Sequence, residues 1–234
     1  MKPQKFIFFL FIGLLFSVTG FSQNKEFEIR AVSPFTGIKV SSGIKLYLKQ
    51  GDDNQVSVES DARYINNIIT EIKGGILNVY YSERNFFRKP VNLQLNVYVT
   101  AVWLETIEMS SGADLYCQQQ LKLDQLTIKC SSGSDAHIDV ECRELALYAS
   151  SGSDIKVKGS AIKLTASASS GSNINAKEFE TVYAVLKASS GADIYSRVMG
   201  EIEAHASSGA DITYYGNAIP KVIRQSGGGE VRKR

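Results

Sequence analysis

Apolar and polar residues alternate one by one through most of the C-terminal half of the chain, the period of a β-strand with one face turned to a core. Leu126, Ile128 and Cys130 alternate with Thr127 and Lys129, and Leu145, Leu147 and Ala149 with Ala146 and Tyr148; Ile202, Ala204 and Ala206 carry the last copy. After a short interruption the alternation resumes, in Leu115 and Cys117, Ile138 and Val140, Ile155 and Val157, and Ile174 and Ala176. The interruption is nearly invariant: SSGADL at 110, SSGSDA at 131, SSGSDI at 150, SSGSNI at 169, and SSGADI at 189 and 207. The pattern predicts two short strands per unit, meeting at each Ser-Ser-Gly.

The motif glycines are Gly112, Gly133, Gly152, Gly171, Gly191 and Gly209, with a degenerate copy at Gly227. They recur at a nearly constant interval of about 19 positions, the mark of a repeat architecture. An earlier relative, SSGIKL around Gly43, stands well upstream of the first of them. This period is too short for a helical hairpin repeat, and the Asn or Cys that a leucine-rich repeat needs is absent. A unit with one apolar face buries it only by stacking on its neighbours at the strand spacing of about 4.8 Å. The expected fold is therefore all-β, a single-stranded parallel β-helix with rungs of about 19 residues. Its regular part is expected from about 105 to 230. Residues 25–105 are less regular, with strands at 35–50, 55–60, 76–82 and 91–100, a turn at Gly74–Gly75 and a short helical turn within 61–70. They are expected to cap the open end of the coil.

Within the block, glycine supplies the bend. Parity counted through the strands points the second serine inward: Ser111, Ser132, Ser151, Ser170, Ser190 and Ser208. Buried hydroxyls must find partners, so these serines are expected to bond to one another or to bend carbonyls. The following Asp114, Asp135, Asp154, Asn173, Asp193 and Asp211 then point outward or lie in the bend. Asn173 keeps the hydrogen-bonding capacity and drops the charge, so the expected role is to bond bend N–H groups rather than to hold a calcium ion. The corner ladder is a structural device in this reading, with no catalytic, cofactor or metal residue assigned.

Composition adds the compartment. Lys2 and Lys5 precede an apolar run from Phe6 to Phe16, interrupted only by Gly13, with small Gly20 and Ser22 before Gln23. That is the plan of a signal peptide over residues 1–22, too short to span a bilayer. It leaves 23–234 as one domain, exported to the periplasm, the extracellular space or the cell surface. Removing Lys2 and Lys5 takes the formal net charge from +2 to zero, which argues against a nucleic-acid partner. The terminal VRKR reads as a solvated tail after the last rung. Cys117, Cys130 and Cys142 have neither zinc-site spacing nor an even count, and their register makes them buried thiols: Cys130 in the row of later alanines, Cys117 in the row of Val157, Cys142 in the row of Leu121. His137 and His205 fall on outward positions, and no nucleophile, phosphate-loop or metalloprotease motif accompanies them.

FTGIKVSSGIKLYLKQGD (35–52), EIKGGILNV (71–79), the serial SSGSDI and SSGSNIN blocks, GSNIN at 171–175 and a glycine-rich close resemble the head GIN domain family of putative auto-transporter adhesins. The resemblance runs over roughly 35–230. It implies a right-handed, pectin lyase-like β-helix without that fold's catalytic residues, and a role in adhesion. The chain closes on its own repeats, and the many alternating strands of a membrane barrel are not legible in it. The expected function is that of an exported, non-enzymatic adhesin or envelope-interaction module without a cofactor. Its partner would be a surface, glycan or envelope protein, met through outward Tyr116, Tyr148, Tyr195 and His137. The alternatives are a carbohydrate-active β-helix enzyme and a self-associating structural envelope protein.

Overall fold

In each repeat the second serine and the glycine both take positive φ, 54° and 69° at Ser111 and Gly112, and the same geometry recurs from Ser42–Gly43 through Ser208–Gly209. Two consecutive left-handed residues make a type I′ turn, closed at two copies by Ala113 N–H to Ser110 O and Ala210 N–H to Ser207 O, both 3.2 Å. The turns stack. Gly112 N–H donates to Ser132 O, Gly133 to Ser151 O, Gly152 to Ser170 O, Gly171 to Ser190 O and Gly191 to Ser208 O, each at 3.1 Å.

The computed structural model describes residues 25–82, 90 and 92–234; the leader expected at 1–22 lies outside them. Strands entering the turns form an approach face, and strands leaving them a departure face. On the approach face Thr106–Met109, Gln125–Cys130 and residues 144–149 pair in parallel, one rung after another. On the departure face Asp114–Cys117, residues 135–142 and residues 154–161 do the same. Both continue to Ile219–Ser226 and Glu230–Lys233. Ala136, Ile138, Val140, Leu145, Leu147 and Ala149 turn inward and are at most 3% exposed, and the same rows repeat along the axis as one continuous core. The fold is thus an all-β parallel solenoid, with the rung length expected from the glycine period.

The stacking order departs from chain order. The rung made by Gly37–Val40 and Lys45–Gln50 lies between the rung of 106–117 and the rung of Ile76–Tyr81 and Asn96–Ala101. Gly43 N–H accordingly donates to Ser111 O at 3.0 Å, across a long interval of sequence. That interval holds one further rung and two antiparallel pairings, and a third brings in the upstream strand. Lys25–Arg30 pairs with Gln55–Asp61, which pairs with Asn96–Ala101, and Ile68–Lys73 returns onto Ile76–Tyr81 through Gly74–Gly75. These strands cap one end of the stack. Residues 37–50 are therefore a regular rung and not part of an irregular cap, and the strand expected at 91–100 begins only at Asn96.

The second corner of each rung absorbs the differences in repeat length. Register shifts fall between Lys156 and Lys158, between Ala176 and Glu180, and between Thr181 and Tyr183, while the serine turns stay in step. Two expectations change here. Leu121 pairs with Val140 and Cys142 with Ala161, so Cys142 is one inward row away from Leu121, because the strand bends there. Glu230–Lys233 is a strand paired to Asp211–Tyr215 and not a frayed tail.

Candidate binding surface

The serine expected inside the corner is outside it. Ser111, Ser132, Ser151, Ser170, Ser190 and Ser208 are exposed, and the buried position belongs to the residue after the glycine: Ala113, Ser134, Ser153, Ser172, Ala192 and Ala210. Parity fails because two successive left-handed residues reset the alternation. Where the buried residue is serine, its hydroxyl makes the bonds expected of the other one. Ser153 Oγ accepts from Ser150 N–H at 3.0 Å and donates to Cys130 O at 2.9 Å, and Ser134 and Ser172 repeat both bonds.

Three of the N–H groups around this bend have acceptors. Gly133 N–H goes to Ser151 O, Ser131 N–H to Met109 O and Ser134 Oγ, and Asp135 N–H to Ala113 O. Along the Asp/Asn column Asp193 draws on a backbone N–H of the next rung, that of Asp211, while Asn173 Oδ1 is buried without a protein partner. Asp114, Asp135, Asp154, Asn173, Asp193 and Asp211 stand in register along the departure face. Desolvation, then the charge of Asp135, raises the carboxyl pKa of Asp114 and Asp154; desolvation, then Asp211, raises that of Asp193. A folded-state pKa above the unfolded one gives stability that is full below the unfolded value and lost as pH rises through the folded value. We therefore expect Asp135→Asn to raise the melting temperature at pH 7 by the equivalent of about 0.3–1 kcal/mol, with the gain shrinking in mildly acidic buffer. Calorimetry across pH checks it; a lowered midpoint at pH 7 contradicts it. Asn173 shows that an amide fits this column.

Beside the carboxylates runs a column of rings. Tyr98, Tyr47, Tyr116 and His137 occupy one outward position on successive rungs. Their centroids are 5.0, 5.6 and 5.4 Å apart and their planes lie within 23° of parallel, and Phe27 of the cap tilts against Tyr98 at 6.1 Å. One ring per rung stacks because the centroid spacing follows the strand spacing. The ring faces are turned to one another and the edges outward. Tyr98 Oη donates to Glu59 at 2.7 Å, which pushes the phenol up to about 12 and lowers the Glu59 carboxyl.

At the capped end this column opens into a groove of about 820 Å³. Exposed Phe27 and Ile29 form one wall, Ser57, Tyr98 and Thr100 the floor, and Lys49, Gln55 and Gln118 the polar rim. Of the four outward residues picked from sequence, Tyr116 and His137 stack in this column. Tyr195 stands further along the same row under Lys177 Nζ at 4.2 Å, and Tyr148 lies on the approach face. Sequence reading missed Tyr47, which follows Gly43 by the same four residues that separate Tyr116 from Gly112. It also missed Tyr98, Phe27 and Ile29, which follow no serine turn.

The thiols of Cys117 and Cys130 are pushed up to about 12 and that of Cys142 to about 11, by burial first, and all three are unbridged. Among the described residues no three His, Cys, Asp or Glu side chains gather as a metal site, and no helix is long and apolar enough to cross a membrane.

The fold is shared with solved bacterial proteins. A putative adhesin from Bacteroides fragilis superposes with a TM-score of 0.83 at 18% identity, covering 91% of this chain and 98% of its own. A putative adhesin from Parabacteroides distasonis gives 0.71 at 15% identity, and a putative lipid binding protein from the same species 0.65 at 17%, both with the same coverages. No curated protein matches. The family model described as putative auto-transporter adhesin, head GIN domain, matches residues 34–218, and the chain belongs to that family.

Proposed function

We propose that the protein is an exported, non-catalytic adhesion module that holds a glycan of a cell surface or envelope on its departure face. The groove between Phe27, Ile29 and the ring column carries this reading. It is concave, in the size range of ligand sites (roughly 300–1,000 Å³), and apolar on one wall. The polar side chains Gln55 and Gln118 lie where sugar hydroxyls would meet them. Ser57 and Tyr98 stand on strands paired on both sides, so little ordering cost opposes binding at the base of the groove. Family membership supports an adhesive role. A glycan array and whole-cell binding with the mature protein test it. We expect binding above background and a loss of roughly tenfold in Phe27→Ser, the cost of about 1.4 kcal/mol of apolar contact. Absence of binding to cells, envelope fractions and glycans alike refutes the adhesive reading; binding indifferent to Phe27→Ser refutes the groove.

A further inference from the structure

On the approach face the outward position two residues before the first turn serine forms a column of its own. Toward the capped end, Glu108 stands between Lys39 and Lys129 and pairs with both, at 3.7 and 3.0 Å. That is how a column of charges is normally neutralised, since opposite charges on facing strands stabilise and like charges oppose. Further along the same column Lys187, His205 and Arg224 follow one another in register with no carboxylate between them. Of the acids nearby, Glu201 pairs with Lys221 at 3.0 Å, and Asp211 and Glu230 with Arg232. Glu203, two residues from His205, stands in the adjoining column between Val185 and Val222. On the other side of the cations are the half-exposed Ser189 and Ser207, the first serines of their turns.

Basic side chains that face one another in register make no cross-strand pair of their own. They fit a ligand that carries negative charge at intervals along a chain. We propose that Lys187, His205 and Arg224, flanked by Ser189 and Ser207, bind an acidic polysaccharide lying along the solenoid axis. Its carboxylates or sulfates would meet the cations, and its sugar hydroxyls the serines. The serine row favours a sugar polymer over a lipid headgroup, because the flanking groups are hydroxyls set in a line. With the leader removed the formal net charge is zero, so polyanion binding would come from this local row and not from a bulk positive field. The site lies on the other face from the groove and toward the opposite end, and stands or falls independently of it.

The test is titration of the mature protein with polygalacturonate and with dextran sulfate, against neutral dextran and anionic phospholipid vesicles. We expect saturable binding to one or both polyanions, weakening with salt, and none to dextran. Lys187→Gln with Arg224→Gln should weaken it by roughly tenfold or more, the loss of charge-assisted hydrogen bonds, while Lys187→Arg retains it and Phe27→Ser leaves it unchanged. No binding to either polyanion, binding untouched by the double variant, or binding to vesicles alone overturns the proposal. So does a sedimentation shift showing that the cations pair with a second copy.

Discussion

Gly159→Ala is expected to destabilise the protein by roughly 3–5 kcal/mol, a large part of a typical folding free energy. Gly159 sits at the second corner with φ +114°, and a Cβ there would lie 2.0 Å from Val140 O and 2.8 Å from Val140 C. The obstacle is backbone of the adjacent rung, paired in register with Gly159, so it cannot step aside without breaking the ladder. Gly152→Ala separates this clash from backbone strain. Its φ is +68° and nothing lies within 4 Å of the added carbon, so only the left-handed conformation is penalised, by about 1–2 kcal/mol. Denaturant unfolding of the two variants should show Gly159→Ala as clearly the worse. Equal losses would mean that the close rung contact contributes nothing.

Phe179→Ala should cost about 3–5 kcal/mol, the range for emptying a buried aromatic site. Phe179 is 0% exposed and pairs in register with Gly159, in the inward row that begins with Leu121 and Val140. It stands within the register shift between Ala176 and Glu180, where this strand carries residues its neighbour lacks. One large ring thus fills a space that smaller residues fill in regular rungs, and the framework of parallel strands around it resists collapse. Phe179→Leu should recover most of the loss. The two sites are in register, yet the alanine at 159 collides with Val140 rather than with Phe179. Combining Gly159→Ala with Phe179→Ala should therefore bring no mutual rescue in equilibrium unfolding.

The candidate surface was partly legible. A reader who aligns the repeats on their glycines finds Tyr116, His137 and Tyr195 four residues on, and Tyr47 behind Gly43. Tyr98 and the Phe27–Ile29 wall carry no such signal, because an antiparallel cap strand and a rung without a serine turn bring them in. The cation row was legible in part by the same alignment. Lys187 and His205 each stand four residues before a motif glycine, Gly191 and Gly209, and the pairing register adds Arg224 beside the degenerate copy.

The alternation and the period by themselves determined that this chain is a stack of parallel strands, which side chains along each strand face the core, and where each rung turns. These are local properties: strand parity has period two, and a unit with one apolar face has to stack. The tertiary structure alone decided what lies across a break in parity or in chain order. The left-handed Ser-Gly pair resets the alternation, so the buried corner residue is Ser153 and its equivalents rather than Ser151. The rung of 37–50 is inserted between the rung of Ile76–Tyr81 and Asn96–Ala101 and the rung of 106–117, because Gly43 finds its hydrogen-bond partner at Ser111, far downstream in the chain. No local pattern encodes that partner; the complementarity of two stacked turns does.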